Sequence, residues 1–171
     1  MRSITGAKTE DAELIAEIGR TSWIEAHGSS AENEHIQYYV DQKYSKEVIL
    51  EQIKSPSNKY YIIHWNDKPA GYSNLILDAK DSNIHLLDVA ELDRLYLLSE
   101  FYNRKLGWEL LNFNIKLAKE NSQNGLWLYV WKGNERALSF YQKAGFEIVG
   151  SHDFQISETH YNPNHLMLLR F

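Results

Sequence analysis

Apolar residues recur at helical spacing over two stretches in the second half of the chain. Leu106, Leu110, Phe113 and Leu117 fall at intervals of four, three and four, and Trp108, Leu111 and Ile115 widen the stripe. This pattern predicts a long amphipathic helix beginning at Tyr102 or Asn103 and closed by Asn124-Gly125. Leu126 to Trp131 is nearly continuous in apolar residues, as expected of a strand covered on both faces. Ala137, Phe140 and Tyr141 mark a second helix over Asn134–Ala144, and Gly145 is placed to cap it in the left-handed conformation. Phe146 to Ile156 and His165 to Phe171 read as a terminal strand pair, separated by an eight-residue polar loop through Asn164.

The first half is less regular. Residues 2–5 suit a short strand. Thr9-Glu10-Asp11 starts a helix striped by Leu14, Ile15 and Ile18, and Glu32 to Ile53 holds one or two more. Lys59–Trp65 and Ala70–Leu77 form a hairpin across Asn66-Asp67-Lys68, and Ile84 to Leu98 carries the longest strand-like pattern. Strands followed by helix, strand, helix and strands predict an α/β domain spanning 1–171, with a mixed, largely antiparallel, twisted sheet between helices.

Composition narrows the chemistry. With 171 residues, 43% of them hydrophobic, the chain has the make-up of a globular domain. No apolar run reaches the ~18 residues of a membrane helix, and the polar start lacks a signal core, so the expected location is the cytoplasm. The absence of cysteine excludes disulfides, a thiol nucleophile and cysteine-bound metal. The seven histidines show no ligand-like spacing, so no metal is expected. A net charge of -5 argues against a nucleic-acid partner.

Two segments carry candidate chemistry. From Asp93 to Gly107 the predicted strand gives way to a helix start, where unpaired backbone N–H groups and the helix dipole, with Arg104 and Lys105 beside them, would suit a pyrophosphate. Neither the nucleotide-triphosphate loop nor the three-glycine dinucleotide fingerprint is present. The second segment, Asn134-Glu135-Arg136-Ala137-Leu138-Ser139-Phe140-Tyr141-Gln142-Lys143-Ala144-Gly145-Phe146, follows the Leu126–Val130 strand.

This second segment resembles the Asn-x-x-Ala-x-x-Phe-Tyr-x-Lys-x-Gly-Phe signature of the GCN5-related N-acetyltransferases (GNAT), and the stretch from Leu92 to Glu120 resembles their acyl-coenzyme A segment. Leu92-Asp93-Arg94-Leu95-Tyr96, Leu126 to Trp131, and Gly150-Ser151-His152-Asp153-Phe154 are similar to the bacterial PaiA-type spermidine/spermine acetyltransferases. The resemblance implies acetyl-CoA bound where the fourth and fifth strands splay, and direct attack of a primary amine, such as a polyamine, on the thioester. Another amine (an amino acid, an antibiotic-like amine or a peptide N-terminus), or a degenerate acyl-CoA-binding regulator, is the alternative. A homodimer is compatible with the superfamily.

The resemblance also assigns roles. Tyr141 is the general acid that protonates the leaving thiolate, and Asp93 or Glu91 handles the amine proton. Leu95, Tyr96 and Leu97 line the cofactor, the backbone near Leu97 serving the oxyanion. Tyr102, Asn103, Arg104, Lys105, Leu106, Gly107 and Trp108 form the phosphate loop, and Asn134 and Lys143 complete the cofactor set. The family loop reads Gln/Arg-x-x-Gly-x-Gly/Ala, so Tyr102 and Lys105 depart from it. The lysine is compatible either with steric obstruction or with added charge for the diphosphate. Trp23, Glu25, Tyr38, Tyr39 and His152 are candidates for the acceptor groove, where aromatic faces and acids would hold a cation. Strand alternation places Glu91, Asp93, Leu95 and Leu97 on one face, unless a bulge intervenes.

Overall fold

A computed structural model describes residues 1–171. Its centre is a seven-stranded sheet in the order β1-β2-β3-β4-β5-β7-β6, comprising β1 (Arg2–Gly6), β2 (Asn58–Trp65), β3 (Lys68–Ile76), β4 (Val89–Leu97), β5 (Gly125–Trp131), β6 (Glu147–Gln155) and β7 (Tyr161–Arg170). Every neighbouring pair is antiparallel except β4 and β5. The helices are α1 (Ala12–His27), α2 (Asn33–Lys43), α3 (Lys46–Lys54), α4 (Leu106–Glu120) and α5 (Glu135–Lys143).

The helices cover the sheet unevenly, and this sets the site. On one face α1 and α3 bury Ile15, Ile18 and Ile49 against Tyr60, Ile62 and Tyr72. Gly19 permits this approach, since a Cβ there would lie 2.5 Å from the Tyr44 ring and 2.6 Å from the Tyr72 hydroxyl. On the other face Leu111 and Ala118 of α4, with Tyr141 of α5, pack on Leu75, Leu92, Leu126 and Leu128. Ser45 caps α3 and Asn134 caps α5, each accepting a hydrogen bond from the N–H three residues on.

Several boundaries differ from the sequence reading, among them the end of α4, which closes at Glu120 rather than at Asn124-Gly125 because Gly125 already belongs to β5. The helix expected from Tyr102 begins at Leu106, because Ser99–Phe101 forms a separate 3₁₀ turn and both Asn103 and Lys105 adopt positive φ. The last strand starts at Tyr161 rather than His165, since pairing of Gln155 with Tyr161 leaves only a tight hairpin connection where a polar loop was expected. The region from Ile84 is strand only from Val89. Gly145 takes φ 96°, as its capping position requires.

Candidate active site

β4 and β5 pair only through Val89–Gly125, Ala90–Leu126 and Glu91–Trp127. Beyond Glu91 they diverge, and a cavity of about 890 Å³ passes through the gap from one face of the sheet to the other. Leu106, Gly107, Phe140 and Tyr141 line it on the α4–α5 face, and Trp23, His27, Tyr39 and Tyr44 on the opposite face.

The mouth on the α4 side offers donors that an anion could use. From Asn103 to Trp108 no backbone N–H donates to another backbone group, the first to do so being that of Glu109, to the Lys105 carbonyl. The left-handed residues Asn103 (φ 61°) and Lys105 (φ 63°) turn these donors into a concave nest at the positive end of the α4 dipole. A Cβ on Gly107 would meet only ordinary contacts with Leu97 and Phe140, so the protein itself has room for alanine there. Arg136 of α5 reaches over the mouth, its guanidinium carbon 3.5 Å from the Tyr102 ring centroid.

Inside the gap, β4 is broken by a bulge. Asn74 pairs with Arg94 and Leu75 with Leu92, leaving Asp93 without a partner on β3. The extra residue resets the alternation, so Glu91, Arg94 and Tyr96 share the α1–α3 face while Leu92, Leu95 and Leu97 turn towards α4. The expected common face of Glu91, Asp93, Leu95 and Leu97 is therefore corrected: the acids and the leucines lie on opposite sides. Leu98 N–H donates to the Ala70 carbonyl at 3.0 Å. Alternation along an antiparallel strand then directs the N–H groups of Leu97 and Leu95 to the other edge, into the splay.

The ionisable groups differ sharply in environment. Burial pushes the Glu91 carboxyl up to about 8, with the negative charges of Asp93 and Asp81 adding to the effect and Arg94 opposing it. Asp93 accepts a hydrogen bond from Asn74 Nδ2 at 3.0 Å and sits 3.4 Å from Arg94 Nε. Tyr141, only 9% exposed, packs against Phe140 and Phe146. Burial raises its phenol well above the usual value, so the hydroxyl stays protonated at neutral pH. No protein group hydrogen-bonds that hydroxyl, which leaves its proton available to a ligand in the cavity. Asn134 Oδ1 accepts from Ala137 N–H at 3.1 Å, leaving its amide nitrogen free toward the cavity.

Most residues singled out from the sequence meet here. Leu95, Tyr96, Leu97, Tyr102, Asn103, Lys105, Leu106, Gly107, Trp108 and Asn134 line the cavity together with Glu91, Asp93, Tyr141, Trp23, Glu25 and Tyr39. Glu25 is tied to the start of the 3₁₀ turn, accepting from Ser99 Oγ at 2.8 Å and from Ser99 N–H at 3.3 Å. Four residues lie off the wall. Arg104 stacks on Trp65, its guanidinium carbon 5.3 Å from the ring centroid. Lys143 is in the last turn of α5, Tyr38 is 47% exposed on α2, and His152 stacks on Tyr129 at 4.9 Å.

His27, Tyr44, Arg94, Tyr129 and Arg136 also line the cavity, although the sequence reading gave them no role. His27 lies one helical turn after Trp23 and stacks on it at 4.6 Å, a helical spacing visible in the sequence. Its Nδ1 lies 3.2 Å from the Trp23 carbonyl, and burial pulls its pKa down to about 4, so the ring is neutral at pH 7. No spacing signals Arg94, whose facing depends on the bulge.

Comparison with known proteins agrees with this geometry. The sequence profile of the Acetyltransferase (GNAT) family matches residues 21–146. The chain belongs to the GNAT acetyltransferase family. Acetyl-CoA is the cosubstrate of this family, and the chain is an N-acetyltransferase. The GNAT chain is 31% identical over 139 residues to a spermidine N(1)-acetyltransferase from Thermoplasma acidophilum, covering 81% of this chain and 84% of that protein. It superposes on a crystal structure of a PaiA N-acetyltransferase from the same organism in complex with coenzyme A, with TM-score 0.80 and 27% identity over 100% of this chain and 99% of that one. A GCN5-related N-acetyltransferase structure from Rhodopseudomonas palustris, 16% identical with TM-score 0.79, covers 100% of this chain and 96% of its own and shares the fold.

Proposed function

We propose that this GNAT enzyme transfers acetyl from acetyl-CoA directly to the primary amine of a small molecule. The carrying observation is the cavity through the sheet, with a nest of free N–H groups at its α4 mouth and the Tyr141 hydroxyl at its inner wall. The nest and the α4 dipole receive the diphosphate of the cosubstrate, and the free amide of Asn134 holds its arm. The amine enters from the α1–α2 side and gives up its proton to Glu91 or Asp93 before attack. Charge building on the carbonyl oxygen is met by the N–H groups that Leu95 and Leu97 direct into the splay. Tyr141, protonated by virtue of its burial, donates to the departing sulfur.

A polyamine acceptor is supported by the acid pair Glu91 and Asp93, by the aromatic faces of Trp23 and Tyr39, and by the spermidine acetyltransferase among the relatives. An amino-acid-type amine is the second reading, and a specific observation favours it: the cavity wall also holds the cation Arg94. The test is release of free thiol from acetyl-CoA across a panel of diamines, polyamines, amino acids and aminoglycoside-like amines. Turnover with at least one amine well above the hydrolysis rate is expected. Tight coenzyme A binding with no amine accelerating thiol release would sink the catalytic reading.

A further inference from the structure

The acceptor side of the cavity holds a charge that a purely cationic substrate does not use. Arg94 is only 7% exposed yet lines the cavity. It is held from two sides, with Nη1 donating to Tyr60 Oη at 2.7 Å and to Gln52 Oε1 at 2.9 Å and Nε lying 3.4 Å from Asp93 Oδ2. The Tyr44 ring stacks beneath it, 4.8 Å from the guanidinium carbon, and Tyr44 in turn bonds to Tyr96 through their hydroxyls at 3.0 Å. No protein group accepts from Nη2, and that nitrogen is not among the polar atoms sealed inside the protein without a partner. A rigidly held guanidinium with Nη2 unpaired on the cavity wall can receive one oxygen of a carboxylate or another oxyanion. Nη2 is open to the cavity, where a carboxylate oxygen would replace solvent with a charge-assisted hydrogen bond.

The charge beside it completes the pattern. Asp93 adjoins Arg94 on the bulge, and Glu91 lies on the same face of the strand. An ammonium receiver and a carboxylate receiver thus stand side by side on adjoining residues of β4. A polyamine would place a positive charge next to Arg94 and leave Nη2 empty. We propose that Arg94 is an anion-recognition subsite and that the physiological acceptor is an amino acid or close derivative, its amine directed to Asp93 and Glu91 and its carboxylate to Nη2 of Arg94. This rests on the acetyl-transfer reading and specifies its substrate class. The aromatic wall of Trp23, Tyr39 and Phe154 then takes the acceptor's side chain.

Matched pairs differing only in the carboxylate test the subsite on the unaltered enzyme: lysine against cadaverine, ornithine against putrescine, phenylalanine against phenethylamine. The expected result is a kcat/KM at least about tenfold higher for the amino acid of at least one pair, carried mainly by KM, the scale of a charge-assisted contact. Arg94→Gln should abolish that advantage while coenzyme A affinity is unchanged, and Arg94→Lys should restore part of it. Should Arg94→Gln fail to fold, the pairs and the Arg94→Lys variant still decide the matter. Equal or better turnover of the decarboxylated member in every pair would overturn the subsite but leave acetyl transfer standing. Absence of turnover with every amine would overturn the underlying reading and this one with it.

Discussion

At the residue scale, the proposed acetyl transfer rests on two side chains with displaced protonation. Tyr141→Phe keeps the ring among Phe140 and Phe146 and removes only the hydroxyl, which has no protein partner to lose. Stability and coenzyme A affinity should hold, while kcat for acetyl transfer falls by roughly 10²–10³, the scale of a positioned proton donor. Kinetics beside a thermal melt checks this, and retention of more than about half the turnover would return Tyr141 to a packing role. Glu91 is tested by pH. With its carboxyl near 8, a base role requires kcat/KM to rise with pH and level off above about 8, and Glu91→Gln to remove that limb. The sign for stability is opposite. Between the ordinary glutamate value of 4.5 and about 8, the folded state holds a proton that the unfolded chain has lost. This group's contribution therefore falls as pH rises through that window, and Glu91→Gln should flatten the loss seen in urea titrations.

At the element scale, the segment before α4 and the α1 contact make separate predictions. The nest from Asn103 to Trp108 predicts that calorimetry finds coenzyme A binding far more tightly than dephosphorylated pantetheine, and equal binding would remove the nest as the anion site. Lys105 complicates its own loop, because a lysine at φ 63° bears a backbone cost of about 1 kcal/mol that glycine does not. Lys105→Gly should raise the melting temperature while weakening coenzyme A by up to about fivefold, as loss of an exposed charge near phosphate implies. A gain in affinity instead would identify the lysine side chain as an obstruction. Gly19→Ala on α1 presses a methyl into Tyr44 and Tyr72, which are fully enclosed, and should cost about 1–3 kcal/mol in a denaturant melt.

For the whole molecule, the cavity separates two parts of the sheet that share only a short parallel pairing. Filling it with coenzyme A joins α4 on one bank to α5 on the other. At a hundredfold excess over Kd, linkage predicts about 2.7 kcal/mol of stabilisation. That corresponds to a rise of about 5–10 °C in melting temperature for a chain of this length. Differential scanning fluorimetry reads this directly, and an unchanged melt at saturating ligand would show that the splay is not where coenzyme A sits. No helix is long and apolar enough to cross a membrane.

The sequence by itself determined much of this protein because its strongest signals are local. The three-four spacing from Leu106 to Leu117, the continuous strand from Leu126, and the capping Asn134 and Gly145 each act through neighbours a few residues apart. Those neighbours were readable, and so was the family signature ending at Phe146. The limits of α4 were not, because Ser99–Phe101 and the two left-handed residues stop the helix against an otherwise helical pattern. Tertiary structure alone decided which way β4 faces. A single unpaired residue at Asp93 inverts the alternation, putting Glu91 and Arg94 together on the α1–α3 side of the cavity and the leucines towards α4. A bulge is defined by the strand across from it, so β4 read alone has no means of declaring it. The same holds for His27 and Arg136, whose places on the wall follow from how α1 and α5 dock across the splay.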